Sequence, residues 1–162
     1  MKGRPTIVRE LNRLLTGELT AADQYFIHSR MYENWGLREL FQRVEHERVE
    51  ELDHATRLIR RILFLEGIPD VASREPLKIG ATVPEMLKND LNYEYAVVGA
   101  LRKAIAICET QRDYETRRIL GDLLEDTETD HAYWLEIQLG LIEKIGLHNY
   151  LQTAVGKSSP NA

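Results

Sequence analysis

Cysteine is almost missing from this chain of 162 residues: Cys108 stands alone. A single thiol excludes a disulfide framework within the chain, and any zinc or iron–sulfur site built from several cysteines of one chain. It points to a reducing compartment. There is no basic surplus either. Twenty-one Lys and Arg against 26 Asp and Glu give a formal charge of -5, which leaves nothing to neutralise a nucleic-acid backbone. No apolar run approaches the roughly 18 residues of a membrane span, and the start, Met1 to Pro5, lacks the apolar segment of a secretory signal. The expectation is one cytoplasmic domain with no membrane or nucleic-acid partner, long enough to bury a core without disulfides.

Proline and glycine are sparse, and their positions divide the chain. Thr6 to Trp35 is interrupted only by Gly17, and Gly36 to Glu66 runs without a break. Residues 67–84 hold three of the five prolines and two glycines, and read as a long connection. Pro84 to Gln111 contains only Gly99, and Asp113 to Ile145 carries Gly121 and Gly140, which weaken a helix without stopping it. The apolar periodicity is helical in each segment. Leu120, Leu124, His131, Leu135 and Ile142 fall within about 40° of one direction, and Val44, Glu51, Leu58, Ile62 and Leu65 form a similar stripe. Strand patterns are absent. Two short connections and one long one predict an all-α, four-helix bundle with a long crossover. Leu147 to Val155 forms a short fifth helix after a break at Gly146. The domain is expected to span 1–155, with 156–162 a disordered polar tail.

One device occurs twice. Glu18 precedes Glu51-Leu52-Asp53-His54 by 33 residues, and Glu94 precedes Glu128-Thr129-Asp130-His131 by 34. A lone Glu followed on the next helix by Glu-x-x-His looks like a duplicated helix pair. All four glutamates lie on core-facing stripes. Glu18 shares its face with Leu11, Ala22 and Tyr25; Glu94 shares its own with Leu87, Val98, Leu101 and Ile105. One buried, unpaired carboxylate costs several kcal/mol or takes up a proton. Two divalent cations would neutralise four of them. Glu and His at i and i+3 converge on one point, and an oxygen-rich set with one nitrogen per metal suits iron or manganese better than structural zinc. A single Glu-x-x-His on a charged helix is a weak signal, more often solvated surface than a ligand pair. Two, each paired with a core-facing Glu, are a much stronger signal for a di-metal site of Glu18, Glu51, His54, Glu94, Glu128 and His131.

The chain goes further and resembles a bacterioferritin over nearly its full length. The segments that carry the likeness are DQYFIHSRM (Asp23–Met31), NWGL (Asn34–Leu37), RRILFLEG (Arg60–Gly67), EML (Glu85–Leu87), HAYWLE (His131–Glu136) and GLHNYLQ (Gly146–Gln152). The resemblance implies a 24-subunit hollow cage that takes up Fe(II), oxidises it with dioxygen or peroxide and stores ferric mineral inside. By the same likeness, Glu18 and Glu94 match the terminal carboxylates of the ferroxidase centre, Glu51 and Glu128 the bridging ones, and His54 and His131 its nitrogen ligands. Tyr25 matches a tyrosine beside the centre, and is also compatible with a plain core position. His46 and Glu50 match a further iron site on the inner wall, where the family often has Asp for Glu50; both also fit a charged helix face. Asn149 and Gln152 match residues of a channel at the four-fold axis, or belong simply to a terminal helix.

One position departs from the family. Its members bind haem b between paired subunits through a methionine, and this chain has Leu52 there. Leucine has no donor atom and cannot be an axial ligand. The homo-oligomer is therefore expected to lack haem, unless a second, methionine-bearing subunit joins a mixed cage and supplies it. A ferredoxin-type electron donor is the implied partner for iron release. Other classes fit less well. Di-iron oxygenases carry extra length for substrate pockets. Mini-ferritins that protect DNA build their centres between subunits and favour a basic arm. A rubrerythrin needs a C-x-x-C site that one cysteine cannot form. An accessory subunit with an idle centre would not need all six ligand types.

Overall fold

The computed structural model describes residues 2–156, so residues 157–162 of the expected tail lie outside it. Four long helical rods account for most of the chain. Helix α1 spans Pro5–Asn34, with Pro5 at its first turn, where a missing N–H is harmless. Helix α2 spans Arg38–Phe64 and α3 Val83–Gln111. The fourth rod is composite: α4 (Tyr114–Asp126), a π-helical turn (Thr127–Ala132) and α5 (Tyr133–Ile145). Its junction residues keep right-handed helical dihedrals, so the rod is continuous. A short helix α6 (Leu147–Ala154) follows Gly146, whose φ of +79° turns the chain in a way that favours glycine. No strand occurs among the described residues.

Side-chain caps start two of the helices. Thr82 accepts from the Glu85 N–H at the head of α3, while the Glu85 carboxylate accepts from the Ala81 N–H. At the head of α4, Asp113 accepts from the Thr116 N–H at 3.0 Å, from its hydroxyl at 2.7 Å, and from Arg61 of α2 at 2.9 Å.

The long connection is ordered by polar side chains spaced along α1. Asn12 donates to the Ile68 carbonyl and accepts from the Asp70 N–H. Thr20 accepts from Glu75 N–H, Gln24 from Lys78 N–H and His28 Nε2 from Gly80 N–H. Loop and helix therefore climb together. Gly80 is required by space: a Cβ there would stand 2.5 Å from the Met86 nitrogen. Because the crossover returns along α1, α3 runs parallel to α2, and the fourth rod runs back. This is the four-helix bundle with a long crossover that the pattern of breakers and stripes predicts, and it has the architecture that the resemblance implies.

The apolar core falls into two clusters. One gathers Leu11, Leu15, Leu58, Leu101, Leu120 and Leu123, the other Tyr32, Leu40, Val44, Met86, Leu87 and Leu135. Between them the bundle buries charge instead.

Candidate metal centre

Five of the six predicted ligands meet in that gap. Glu18 comes from α1, Glu51 and His54 from α2, Glu94 from α3 and His131 from the π turn, and all are buried. They form two groups whose potential donor atoms lie within 4.8 Å of one another: Glu18, Glu51 and His54, and Glu51, Glu94 and His131. Glu51 belongs to both. Its Oε2 lies 3.4 Å from His54 Nδ1, and its Oε1 3.0 Å from His131 Nδ1. Glu18 Oε2 stands 3.7 Å from His54 Nδ1, and Glu94 Oε1 3.8 Å from His131 Nδ1. Each half thus has its own carboxylate and its own Nδ1, and the two share Glu51.

The free lone pairs decide whether metal fits here. Both oxygens of Glu18, Glu51 Oε2, Glu94 Oε2 and the Nδ1 of His54 and His131 are buried without a hydrogen-bond partner. Each such group costs about 1–3 kcal/mol if nothing answers it. All six atoms belong to the same two groups of residues, and carboxylate oxygen with imidazole nitrogen is a donor set for divalent iron or manganese.

The charges tell the same story. Burial, and then the Glu51 charge, push the Glu18 carboxyl well above its ordinary range. The same causes raise Glu94 to about 8. Burial works against Glu51 too, but the close approach of Glu18 and of the His131 and His54 imidazoles holds it below the usual carboxylate value. Burial disfavours the His54 imidazolium, yet Glu18 and Glu51 overcome this and raise it to about 10. His131 is raised in the same way by Glu47 and Glu51. A cation bound by such a set would displace the protons it holds.

A further ring of residues holds these side chains in place. The Tyr25 hydroxyl donates to Glu94 Oε1, beside the centre as the resemblance implies. Burial, and then the charges of Glu94 and Asp90, keep that phenol well above its ordinary value. The histidine nitrogens turned away from the centre also meet carboxylates. His54 Nε2 lies 3.5 Å from Asp126, and His131 Nε2 lies 3.0 Å from Glu47 and 3.2 Å from Glu50. Such partners set the tautomer and the aim of a metal-binding imidazole. Sequence reasoning missed Glu47 and Asp126. Glu47 was within reach: it stands four residues before Glu51, on the face marked by Val44 and Leu58, and it is fully buried. Arg43 pairs with it and also reaches Asp130 at 2.6 Å.

Glu128 is the predicted ligand that the fold does not bring in. It is part-exposed, and its Oε1 accepts from Arg102 Nη2 of α3 at 2.6 Å. The π turn is the reason. Thr127 and Thr129, on either side of Glu128, each donate a hydroxyl to the carbonyl four residues earlier, at Leu123 and Glu125. Such back-bonding competes with the helix ladder and loosens it. The wider turn swings Glu128 off the face that holds His131.

The other expected positions belong to neither triad, although Glu50 touches His131 from outside. His46 Nε2 is 3.2 Å from Glu50 on the solvent side of α2, and Glu50 joins Glu47, Asp130 and His131 in a third group of possible ligands. Asn149 and Gln152 sit on α6, where Asn149 donates to the Ile145 carbonyl and Gln152 pairs with His148. Leu52 is exposed on α2.

Residues 8–145 match the family model described as a ferritin-like domain. A protein named bacterial ferritin from Synechocystis is 58% identical over 153 residues, covering 94% of this chain and 98% of its own. One of the same name from Pseudomonas aeruginosa is 56% identical, covering 96% of this chain and all of its own. A bacterioferritin from Mycolicibacterium paratuberculosis is 39% identical, covering 97% and 98%.

Proposed function

This chain belongs to the ferritin family, and we propose that it is an iron-storage ferroxidase: it binds pairs of Fe(II) ions as substrate, oxidises them with dioxygen or peroxide and passes ferric iron to a mineral inside a 24-subunit cage. The observation that carries this reading is Glu51, one buried carboxylate facing two histidine Nδ1 atoms, each backed by its own glutamate.

Iron supplies the redox chemistry, one electron per ion and two per pair, which takes dioxygen to peroxide or peroxide to water. The chain supplies the rest. Glu18 with His54 and Glu94 with His131 fix the two positions, and Glu51 sets the distance between them. Asp126 and Glu47 hold the imidazoles with Nδ1 inward. Tyr25 fixes one oxygen of Glu94 and leaves the other free to bind. The flanking apolar clusters keep bulk water from the carboxylates. Glu128 is the sixth ligand in this reading. His46 and Glu50 serve a further iron position toward the cage interior, Asn149 and Gln152 line a channel, and the compartment is the cytoplasm.

Stopped-flow oxidation of Fe(II) tests the site. Glu18→Ala and His131→Ala are expected to leave a particle of 24 chains and to slow oxidation strongly. Unchanged rapid oxidation in both, or a single 18.7 kDa chain in solution, overturns the proposal.

A second reading follows from Leu52. It stands 41% exposed on α2, close in sequence to exposed Val49, with Phe26 exposed on α1. A cage of this chain alone has no axial haem ligand at that position. A mixed cage, in which a methionine-bearing subunit supplies haem and a ferredoxin-type donor reduces the mineral, would show a Soret band and a second subunit on isolation from its source.

A further inference from the structure

Glu128 and Arg102 form an ion pair outside the two groups of the centre. Arg102 comes from α3 and Glu128 from the π turn, and their contact at 2.6 Å lies on the wall of a cavity of about 400 Å³. Tyr95 and Glu136 line the same cavity, and the Tyr95 hydroxyl donates to Glu136 at 2.7 Å, a second tie between α3 and the fourth rod. Three residues beyond Glu128, His131 is buried in the centre. In an unbroken α-helix, residues three apart share a face. The π turn alone separates the two, and it spans only Thr127–Ala132 between regular helices.

We propose that Arg102 is a positioning residue for Glu128, a latch that holds this carboxylate outside the centre until cations arrive. The inference rests on the di-metal reading of the site. Rewinding the π turn to α geometry brings Glu128 round to the side of His131 and Glu51, where it becomes the second carboxylate shared by two metal ions. Without cations that move is opposed, because it adds a further carboxylate to Glu18, Glu51, Glu94 and the adjoining Glu47, all already buried. With two divalent cations present it completes their neutralisation. Metal and Arg102 therefore compete for one carboxylate, and the threonines flanking it make the switch in winding easy. Arg102 is largely exposed, so the latch is weak and reversible.

Co(II) binding to the assembled full-length protein, read by calorimetry and visible absorption, tests this without any redox step. Arg102→Gln is expected to bind Co(II) about two- to fivefold more tightly, the range that an exposed ion pair can hold back. Arg102→Lys, which keeps the charge, should fall between the two. In a Glu128→Ala background Arg102→Gln should change nothing. Equal or weaker binding by Arg102→Gln, or the same gain without Glu128, overturns the latch. An unaltered chain that binds no Co(II) overturns the di-metal reading and the latch together, whereas one that binds two ions, with Arg102→Gln binding no more tightly, overturns the latch alone.

Discussion

The imidazoles of His54 and His131 stand 5.6 Å apart between ring centres and only 17° from parallel. They come from different halves of the chain, on α2 and on the fourth rod, yet both present Nδ1 to the same Glu51 carboxylate. This near-symmetry assigns the glutamates unequal weight. Glu51→Ala should abolish both metal positions together, since each depends on one of its oxygens. Glu18→Ala should remove only the position at His54 and leave about one ion per chain at His131. Calorimetric stoichiometry with Co(II) separates these outcomes; equal loss in both variants would mean that Glu51 is not shared.

Glu47 carries the next prediction. It is wholly buried, lies 3.0 Å from His131 Nε2 and pairs with Arg43. Partners of this kind typically contribute 10- to 100-fold in metal affinity. Glu47→Ala should therefore weaken binding at the His131 position by about that factor, while the His54 position, held by Asp126, changes little. A uniform loss at both positions would instead point to damage to the bundle.

These two cases show what was legible in the sequence. The four rods, the crossover, read as 67–84 against a helix that begins at Val83, and the convergence of Glu18, Glu51, His54, Glu94 and His131 followed from where glycine and proline fall and from which glutamates share apolar faces. Glu47 was legible by the same rule, being on the stripe of Val44 and Glu51. Glu128 was not, because 100° per residue describes an α-helix and the chain winds differently over Thr127–Ala132. A threonine on each side of one glutamate is the local cause, but many helices carry threonines and stay α-helical. The polar ladder of Asn12, Thr20, Gln24 and His28 was also hidden, since its partners are loop backbone groups 52 to 58 residues away.

Asp113 gives a pH-dependent test of the bundle itself. Burial works against its charge, but hydrogen bonds from Thr116 and the Arg61 guanidinium hold its carboxyl below the ordinary value of 3.8. A depressed carboxyl contributes stability that is present above its unfolded pKa and lost as pH falls through the folded one. Asp113→Asn keeps a capping oxygen and loses the charge. It should cost about 1 kcal/mol at pH 7. The gap from the unaltered chain should close as pH falls below 3.8. Denaturant unfolding across that range measures both values, and a gap that stays constant with pH would show that the charge of Asp113 contributes nothing.

Leu52 offers the sharpest test of what the family likeness does and does not carry over. The resemblance places a haem-ligating methionine there, and the side chain is 41% exposed on α2, free to meet a second copy of the chain. Leucine and methionine have similar volumes, so exchanging them in a packed site usually costs under about 1.5 kcal/mol. The thioether adds the donor atom that leucine lacks. If the rest of the pocket between paired chains is intact, Leu52→Met should bind added haem with a sharp Soret band, at one haem per two chains, while the unaltered chain shows none. A Soret band of equal strength in the unaltered chain would mean that another residue ligates the iron, and the haem-free reading of the homo-oligomer would fall. A variant that stays colourless while still assembling would show that Leu52 is one of several changes in that pocket, because the missing donor alone would then not account for the lack of haem.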